Sequence, residues 1–147
     1  MPAEEDLQPQ PPDLEEVEET ECWRLLASQP VGRFGVILGD YPLIFPVNHA
    51  VVAHGVVFWT APGAKLWATR HHNVSFEVDD VDLTEQTGWS VLVRGRAREV
   101  SAAVNPDLVR ALEAAAPRSW APGPRDHLMR IFADSISGRR IRTRATT

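Results

Sequence analysis

The stretch Val57-Phe58-Trp59-Thr60-Ala61-Pro62-Gly63-Ala64-Lys65-Leu66 carries the only lysine of the chain, just past a glycine turn that follows an apolar run. A strand that enters a glycine loop and then a short helix leaves backbone N–H groups pointing outward, an arrangement that favours a phosphate. Lys65 adds a full charge there, and Thr60 offers a hydroxyl at the strand end. The competing reading is an ordinary loop with a solvated lysine, and the segment is no Walker loop. Because the other fourteen bases are arginines, any role that needs a compact ammonium falls to Lys65. Upstream, Phe45-Pro46-Val47-Asn48-His49 is an apolar run that ends in an amide and an imidazole. His49 lies two residues beyond Val47, on the same strand face, and serves either a bound ligand or core packing with a hydrogen bond.

Other reactive side chains are more easily read as structure. His71 and His72 are adjacent, so their rings diverge, and neither has the spacing of a zinc-binding helix. No Gly-x-Ser-x-Gly elbow surrounds Ser90, which argues against a serine hydrolase. Cys22, beside Trp23 on an apolar helix side, reads as a small buried hydrophobe. Glu77 and Asp79 share a strand face and form either a carboxylate pair or an Arg-paired surface opposite Arg94 or Arg96. His127 reads as structural. The five tryptophans suit a core or an interface, and the stiff loop Pro117–Asp126 presents Trp120 either as a wall or lid for a ligand or as part of a simple connector.

The elements that must position these residues follow from the hydrophobic period. Residues 1–12 hold Pro, Gln and acids with too few apolar side chains to offset their ordering entropy. From Asp13 the pattern is helical, with Val17, Cys22, Leu25 and Leu26 near one face and Pro30 ending the run; Asp13 or Thr20 is the expected N-cap. Short β-branched and aromatic runs then predict six antiparallel strands at 31–38, 43–53, 56–60, 73–79, 88–100 and 127–133. Hairpins are expected at 39–42 and at His54-Gly55, with Gly55 supplying a positive φ. In 88–100, Val91, Val93, Gly95 and Ala97 alternate with Leu92, Arg94, Arg96 and Arg98, so one face is buried. Two helical inserts are expected, at 65–70 and at 106–116, the second with Asn105 as N-cap and Pro106 at its first position. Six strands with few helices suggest a small barrel, in which closure removes exposed edges.

Composition narrows the setting. One cysteine in 147 residues allows no intramolecular disulfide framework and no Cys-rich zinc site, so a reducing cytoplasm is the expectation. No apolar run approaches the ~20 residues of a membrane span, and the acidic, Pro-rich N-terminus does not read as a signal peptide. Residues 1–22 hold nine acids and no base, which leaves eleven acids against fifteen bases in the rest, a net +4. Four of those bases, Arg139, Arg140, Arg142 and Arg144, crowd the C-terminal end instead of forming a broad basic face, which argues against nucleic acid as a partner.

The order Cys22-Trp23-Arg24-Leu25-Leu26, Pro30-Val31-Gly32-Arg33, Phe45–Asn48, Phe58–Leu66, Phe76-Glu77-Val78-Asp79, Gly88–Gly95 and Gly138-Arg139-Arg140-Ile141 resembles the actinobacterial pyridoxamine 5′-phosphate oxidase-like proteins, which are FMN-binding split barrels. That fold also hosts nitroimidazole reductases, deazaflavin-dependent reductases and haem-handling relatives. The resemblance implies that the backbone around Pro46, Val47 and Asn48 lies along the isoalloxazine, with His49 where a tyrosine is frequent. It places the strand end Phe58–Ala61, including Thr60, near the ring and ribityl chain. Lys65, with Leu66 after it, would grip the phosphate. Trp89 and Ser90 of a second copy would close the pocket, so the protein is expected to be a homodimer with its cofactor at the interface. The turn usually has Thr before the lysine, and here Ala64 removes one charge-assisted hydrogen bond, a loss on the order of 1.5–3 kcal/mol.

The sequence therefore predicts a mainly β, six-stranded antiparallel split β-barrel with a few short helices. It is expected to comprise a disordered arm over 1–16, a flavin-binding domain over 17–141 and a basic tail over 142–147. The expected function is FMN-dependent oxidation or reduction of a small molecule in the cytoplasm, without nucleic acid, membrane or metal. The alternatives are a non-catalytic flavin sensor whose acidic arm 1–22 contacts a partner, and a binder of deazaflavin F420 or haem with His49 or His71 as haem ligand.

Overall fold

Alternation in the sequence becomes pairing in the structure. A computed structural model describes residues 13–61, 73–100, 105–125 and 127–143. The strands β1 (Asp13–Val17), β2 (Val31–Leu38), β3 (Tyr41–Asn48), β4 (Ala50–Val52), β5 (Gly55–Thr60), β6 (Asn73–Asp82), β7 (Thr87–Glu99) and β8 (His127–Arg142) form one antiparallel sheet. Its order is β3-β2-β6-β7-β8-β5-β4, with β1 also on β8. Among the described residues two helices accompany it, α1 (Glu19–Ala27) and α2 (Pro106–Ala115). The sheet curls into the half-barrel of a split-barrel fold, as the sequence predicted, with eight strands among the described residues where six were expected. The expected helical insert at 65–70 lies outside the described residues.

The added strands have physical causes. The run expected as one strand over 43–53 breaks at His49, whose side chain turns inward, so that β3 and β4 occupy opposite ends of the sheet path. The segment from Asp13, expected to start a helix, is instead β1. Its residues Asp13, Glu15 and Glu16 lie opposite Arg142, Arg140 and Arg139 of β8, and Glu15 Oε2 accepts a bond from Arg142 Nε at 3.0 Å. The acidic run and the basic run that looked like separate ends are thus one ladder. Ordered chain begins before the expected boundary at 17, β8 continues nine residues past its expected end at 133, and the helix starts after Glu18 instead of at Asp13 or Thr20.

Turn chemistry also differs in one place. The β4–β5 hairpin turns on Ala53 (φ 47°) and His54 (φ 57°), while Gly55 is the first residue of β5 and is buried. A Cβ at Gly55 would meet Arg130 Nε at 3.1 Å and the Ile131 carbonyl oxygen at 3.2 Å, so the glycine serves close packing and not the turn. His54 stacks on Trp23 of α1 with ring centroids 4.9 Å apart, a contact that fixes the strained hairpin against the helix.

The core sits between α1 and the concave face of the sheet. Phe34, Phe58 and Phe76 from β2, β5 and β6 are fully buried, with Phe34 and Phe58 centroids 5.2 Å apart. Burying each such ring stabilises the fold by about 1.5–3 kcal/mol. The alternation expected in β7 is observed: Val91, Val93, Gly95 and Ala97 are buried, and Leu92, Arg94, Arg96 and Arg98 are exposed. A register shift at Arg94/Gly95 bends β7 over β8, and at Gly95 a Cβ would lie 2.0 Å from the Phe132 carbonyl oxygen. Helix α2 begins as expected, with Asn105 Oδ1 accepting from Leu108 N at 3.1 Å and Pro106 at its start, and it covers a second small cluster of Val57, Leu112, Ala116 and Leu128.

Candidate functional site

The residues of the expected site fall into two groups. One gathers where β3 ends, β4 begins and β5 runs out; the other is at the start of β7. In the sheet order, β2 and β6 separate β3 from β7, so Asn48 and Trp89 of one chain lie on strands that are not neighbours.

In the first group, β3 is the last strand of the path, and among the described strands only β2 pairs with it. An edge strand leaves a row of backbone groups free of ladder bonds. Pro42 and Pro46 cannot donate to β2, so they belong on outward-facing positions; by alternation the backbone of Asn48 faces the same way, with an N–H that Pro46 lacks. Asn48 itself is buried. Its Nδ2 donates to the Pro30 carbonyl oxygen at 3.3 Å, and its Oδ1 accepts from the Trp120 backbone N–H at 2.8 Å. One amide therefore ties β3 to the start of β2 and to the Pro-rich loop.

His49 is turned the other way. Its Nε2 lies 2.8 Å from the Leu26 carbonyl oxygen, one of the carbonyls that the end of α1 leaves without a helical partner, and its ring meets Phe76 edge-on at 4.9 Å. Because a carbonyl only accepts, Nε2 carries the proton, and Nδ1 is buried without a hydrogen-bond partner. Burial pushes the imidazolium pKa down, against the smaller opposite pull of the Leu26 bond, so the ring is a neutral helix cap. Of the two roles expected for His49, the described residues show the one of packing with a hydrogen bond; His71 lies outside the described residues.

The Thr60 side chain is buried, with its hydroxyl 3.4 Å from the Ala61 carbonyl oxygen, so Phe58 and Thr60 offer a ligand their backbone. The Phe58 ring belongs to the core, Val47 is buried, and Pro46 is exposed. Lys65 and Leu66, with Ala64, lie outside the described residues.

The second group is open. Trp89 is half-buried and Ser90 exposed, opposite Asp80 and Asp79 on β6 and opposite Arg140 and Arg139 on β8. A cleft of about 570 Å³ lined by Val81, Thr87, Trp89, Arg140 and Ile141 lies here, and a second of about 300 Å³ takes in Leu14, Asp79, Trp89 and Ser90. These sizes fall in the range of ligand sites. Leu14, Val81 and Ile141 stand exposed around them. Nearby, Arg33 Nη1 bonds Asp79 Oδ1 at 3.1 Å and Glu77 Oε2 at 3.3 Å. The partner expected for these acids was Arg94 or Arg96, but Arg94 bonds Ser135 and Arg96 pairs with Asp134.

Cys22 is fully buried, with Sγ 3.5 Å from the Val17 carbonyl oxygen, and burial raises its pKa, so it is no nucleophile. Sequence reasoning missed the Asn48–Trp120 bond. The only signal for it was a rigid Pro-rich loop carrying a large aromatic, and that pattern does not name a partner.

Residues 18–140 match the family model described as pyridoxamine 5′-phosphate oxidase. The chain belongs to this family. Similar solved structures include the FAD-binding protein of Mycobacterium smegmatis, 35% identical, with 88% of this chain and 100% of that chain covered at a TM-score of 0.66. A second is the putative pyridoxamine 5′-phosphate oxidase of Corynebacterium glutamicum, 28% identical over 90% of this chain and 96% of that one, at a TM-score of 0.72. Among curated family relatives, the uncharacterized protein Rv0080 of Mycobacterium tuberculosis is 33% identical over 135 residues, 88% of this chain and 86% of its own length. No helix among the described residues is long and apolar enough to cross a membrane.

Proposed function

We propose that the protein binds FMN between two copies of itself and acts as a flavin-dependent oxidoreductase on a small molecule. The observation that carries this reading is the division of the site: one chain offers a clamped edge strand at Asn48, and its open clefts at Trp89, where Val81 and Ile141 stand among acids and arginines, lie across two intervening strands. A planar ring needs walls on both faces, and a two-fold dimer places the Trp89 region of one subunit against the Asn48 edge of the other. The residues fit a flavin in two respects. The Asn48 N–H is an edge donor for a ring acceptor, and the exposed side chains of Leu14, Val81 and Ile141 are apolar surface that a second subunit would cover.

Bound FMN would supply the hydride or electron transfer. The chain's own residues would orient and enclose it: the backbone at Val47–Asn48 and Phe58–Ala61 would hold the ring, Lys65 would neutralise the phosphate, and Trp89 and Ser90 of the second copy would exclude water. Because the ring of His49 and the hydroxyl of Thr60 are buried in the chain's own packing, no proton donor is assigned to them. The same fact favours a second reading, a flavin-binding protein without turnover. FAD, named for the Mycobacterium smegmatis relative, is the first competitor for the cofactor.

The test is an absorption spectrum of the purified protein, followed by titration with FMN, FAD, deazaflavin F420 and haem. Saturation by FMN at one per chain, more tightly than by the other three, is the expected result, and preference for another cofactor overturns the FMN assignment. Lys65→Ala is expected to weaken FMN about tenfold to a hundredfold with the dimer intact; unchanged affinity would remove Lys65 from the phosphate site. With FMN bound, a screen of electron donors separates an enzyme from a carrier.

A further inference from the structure

Four arginines stand on one face of the β7–β8 pair, and only two of them are matched within the chain. Arg94 Nε donates to Ser135 Oγ at 3.2 Å, and Arg96 Nη2 lies 3.5 Å from Asp134 Oδ1. Arg98 and Arg130 sit directly opposite each other across the two strands, and among the described residues neither has an acid partner. Like charges placed opposite each other in an antiparallel pair destabilise it, and an anion between them relieves the repulsion.

Arg130 is held in place. Gly55 of β5 leaves room for it, since a Cβ there would lie 3.1 Å from Arg130 Nε, and the guanidinium carbon lies 4.7 Å from the centre of the Phe132 ring. That Nε is buried and has no hydrogen-bond partner among the described residues. Both arginines line a cleft of about 230 Å³ whose apolar walls are Leu108, Val109 and Leu112 of α2 and Phe132 of β8. Leu108 and Phe132 are exposed in it. Glu99 lines it too, and its Oε1 accepts from the His127 ring at Nδ1. The cleft shares no residue with the clefts at Trp89, and along β8 ten residues separate Arg130 from Arg140, the neighbour of Trp89.

Two guanidinium groups offer forked donors that match a carboxylate or a phosphate. The leucine and valine walls reward a hydrocarbon instead. A ligand that satisfies both halves has one charged end and one apolar end. The negative charge of Glu99 disfavours a dianion, which selects a carboxylate over a phosphate monoester. The volume lies below the roughly 300 Å³ at which drug-sized sites begin, which limits the apolar part to a short chain. We infer that this cleft is a binding site for a short aliphatic carboxylate, its head bridging Arg98 and Arg130 and its chain lying against α2. The site is separate from the proposed flavin site and does not depend on it.

Calorimetric titration of the full chain with octanoate tests this, with 1-octanol as the uncharged control and acetate as the control without a chain. Wild type is expected to bind one octanoate per chain, and each control at least about tenfold more weakly. Arg98→Ala is expected to lose about tenfold to a hundredfold in octanoate affinity, because a charge-assisted hydrogen bond is removed. Its urea midpoint without ligand should rise, because the repulsion with Arg130 is gone. Leu108→Asp, at an exposed position of α2, should also lose at least about tenfold, and Arg94→Ala, outside the cleft, should stay within about twofold. Unchanged octanoate affinity in Arg98→Ala, or octanol bound as tightly as octanoate, overturns the proposal. A lower midpoint in ligand-free Arg98→Ala overturns it in favour of a structural arginine, and a change of oligomeric state in that variant overturns it in favour of a subunit contact. Competition between octanoate and FMN overturns it in favour of the flavin site.

Discussion

At the β3–β4 junction the polar side chains are turned into the chain: Asn48 bonds Pro30 and Trp120, and His49 caps α1 through Leu26. At the start of β7 the reverse holds, since among the described residues Leu14, Val81 and Ile141 stay exposed around open clefts. Except for His49 Nδ1, the polar side chains named in the first region find partners among the described residues, and the apolar side chains of the second stay uncovered by them. Buried polar groups left without partners cost more than exposed apolar ones, so evolution can leave an apolar rim open for a second subunit but must satisfy an amide locally. In the proposed dimer, a site built from one region of each kind would be rigid where it reads the ligand edge and adaptable where it closes.

The largest effect is expected where that closure is broken. Ile141→Asp places a charge on the apolar rim, at a position 40% exposed in the single chain, so the folded monomer should lose less than about 1 kcal/mol. Sedimentation should then show monomers, and FMN affinity should fall on the order of a hundredfold because half of each site is removed. A variant that remains dimeric with full FMN affinity would place the interface elsewhere.

Removing the clamp gives the next effect. Asn48→Ala leaves the Trp120 N–H and the Pro30 carbonyl without their partner, a cost of about 1–3 kcal/mol, visible as a lower denaturant midpoint with unchanged slope. Limited proteolysis should also cut the 117–125 loop sooner. Ser90→Ala, on the exposed region, should change stability by less than about 0.5 kcal/mol. Equal effects of the two substitutions would erase the distinction between the regions.

What the sequence disclosed follows the same division. Strand β2 was legible to the residue because its period of two is uninterrupted, and α2 because Asn105-Pro106 is a local start signal. Strand β1 was not legible: Asp13–Val17 has a helix-like acidic composition, and its strand identity depends on arginines more than a hundred residues away. The family residues did not tell which groups point inward, because a histidine at the end of a strand turns toward α1 only when an orphan carbonyl waits there. Trp120 was visible as a rigid aromatic, but its tie to Asn48 spans 72 residues and has no local pattern.

The smallest effect is a titration on the strand that separates the two regions. Glu77 and Asp79 share the Arg33 guanidinium, which sits closer to Asp79, and Glu77 Oε1 is buried with no partner of its own. Burial, reinforced by the hydrogen bond and charge of Asp79 and opposed by Arg33, pushes the Glu77 pKa up to about 7. The folded chain thus holds a proton that the unfolded chain releases near pH 4.5. Its stabilising contribution is complete below that pH and is lost as pH rises toward about 7. Urea midpoints of wild type and Glu77→Gln should therefore agree in the acid range and diverge above it, with wild type becoming the less stable. Wild type gaining on the variant as pH rises would instead make Glu77 an ionised partner of Arg33. The strand joining the two regions would then be held by a plain ion pair, with the same strength on either side of neutrality.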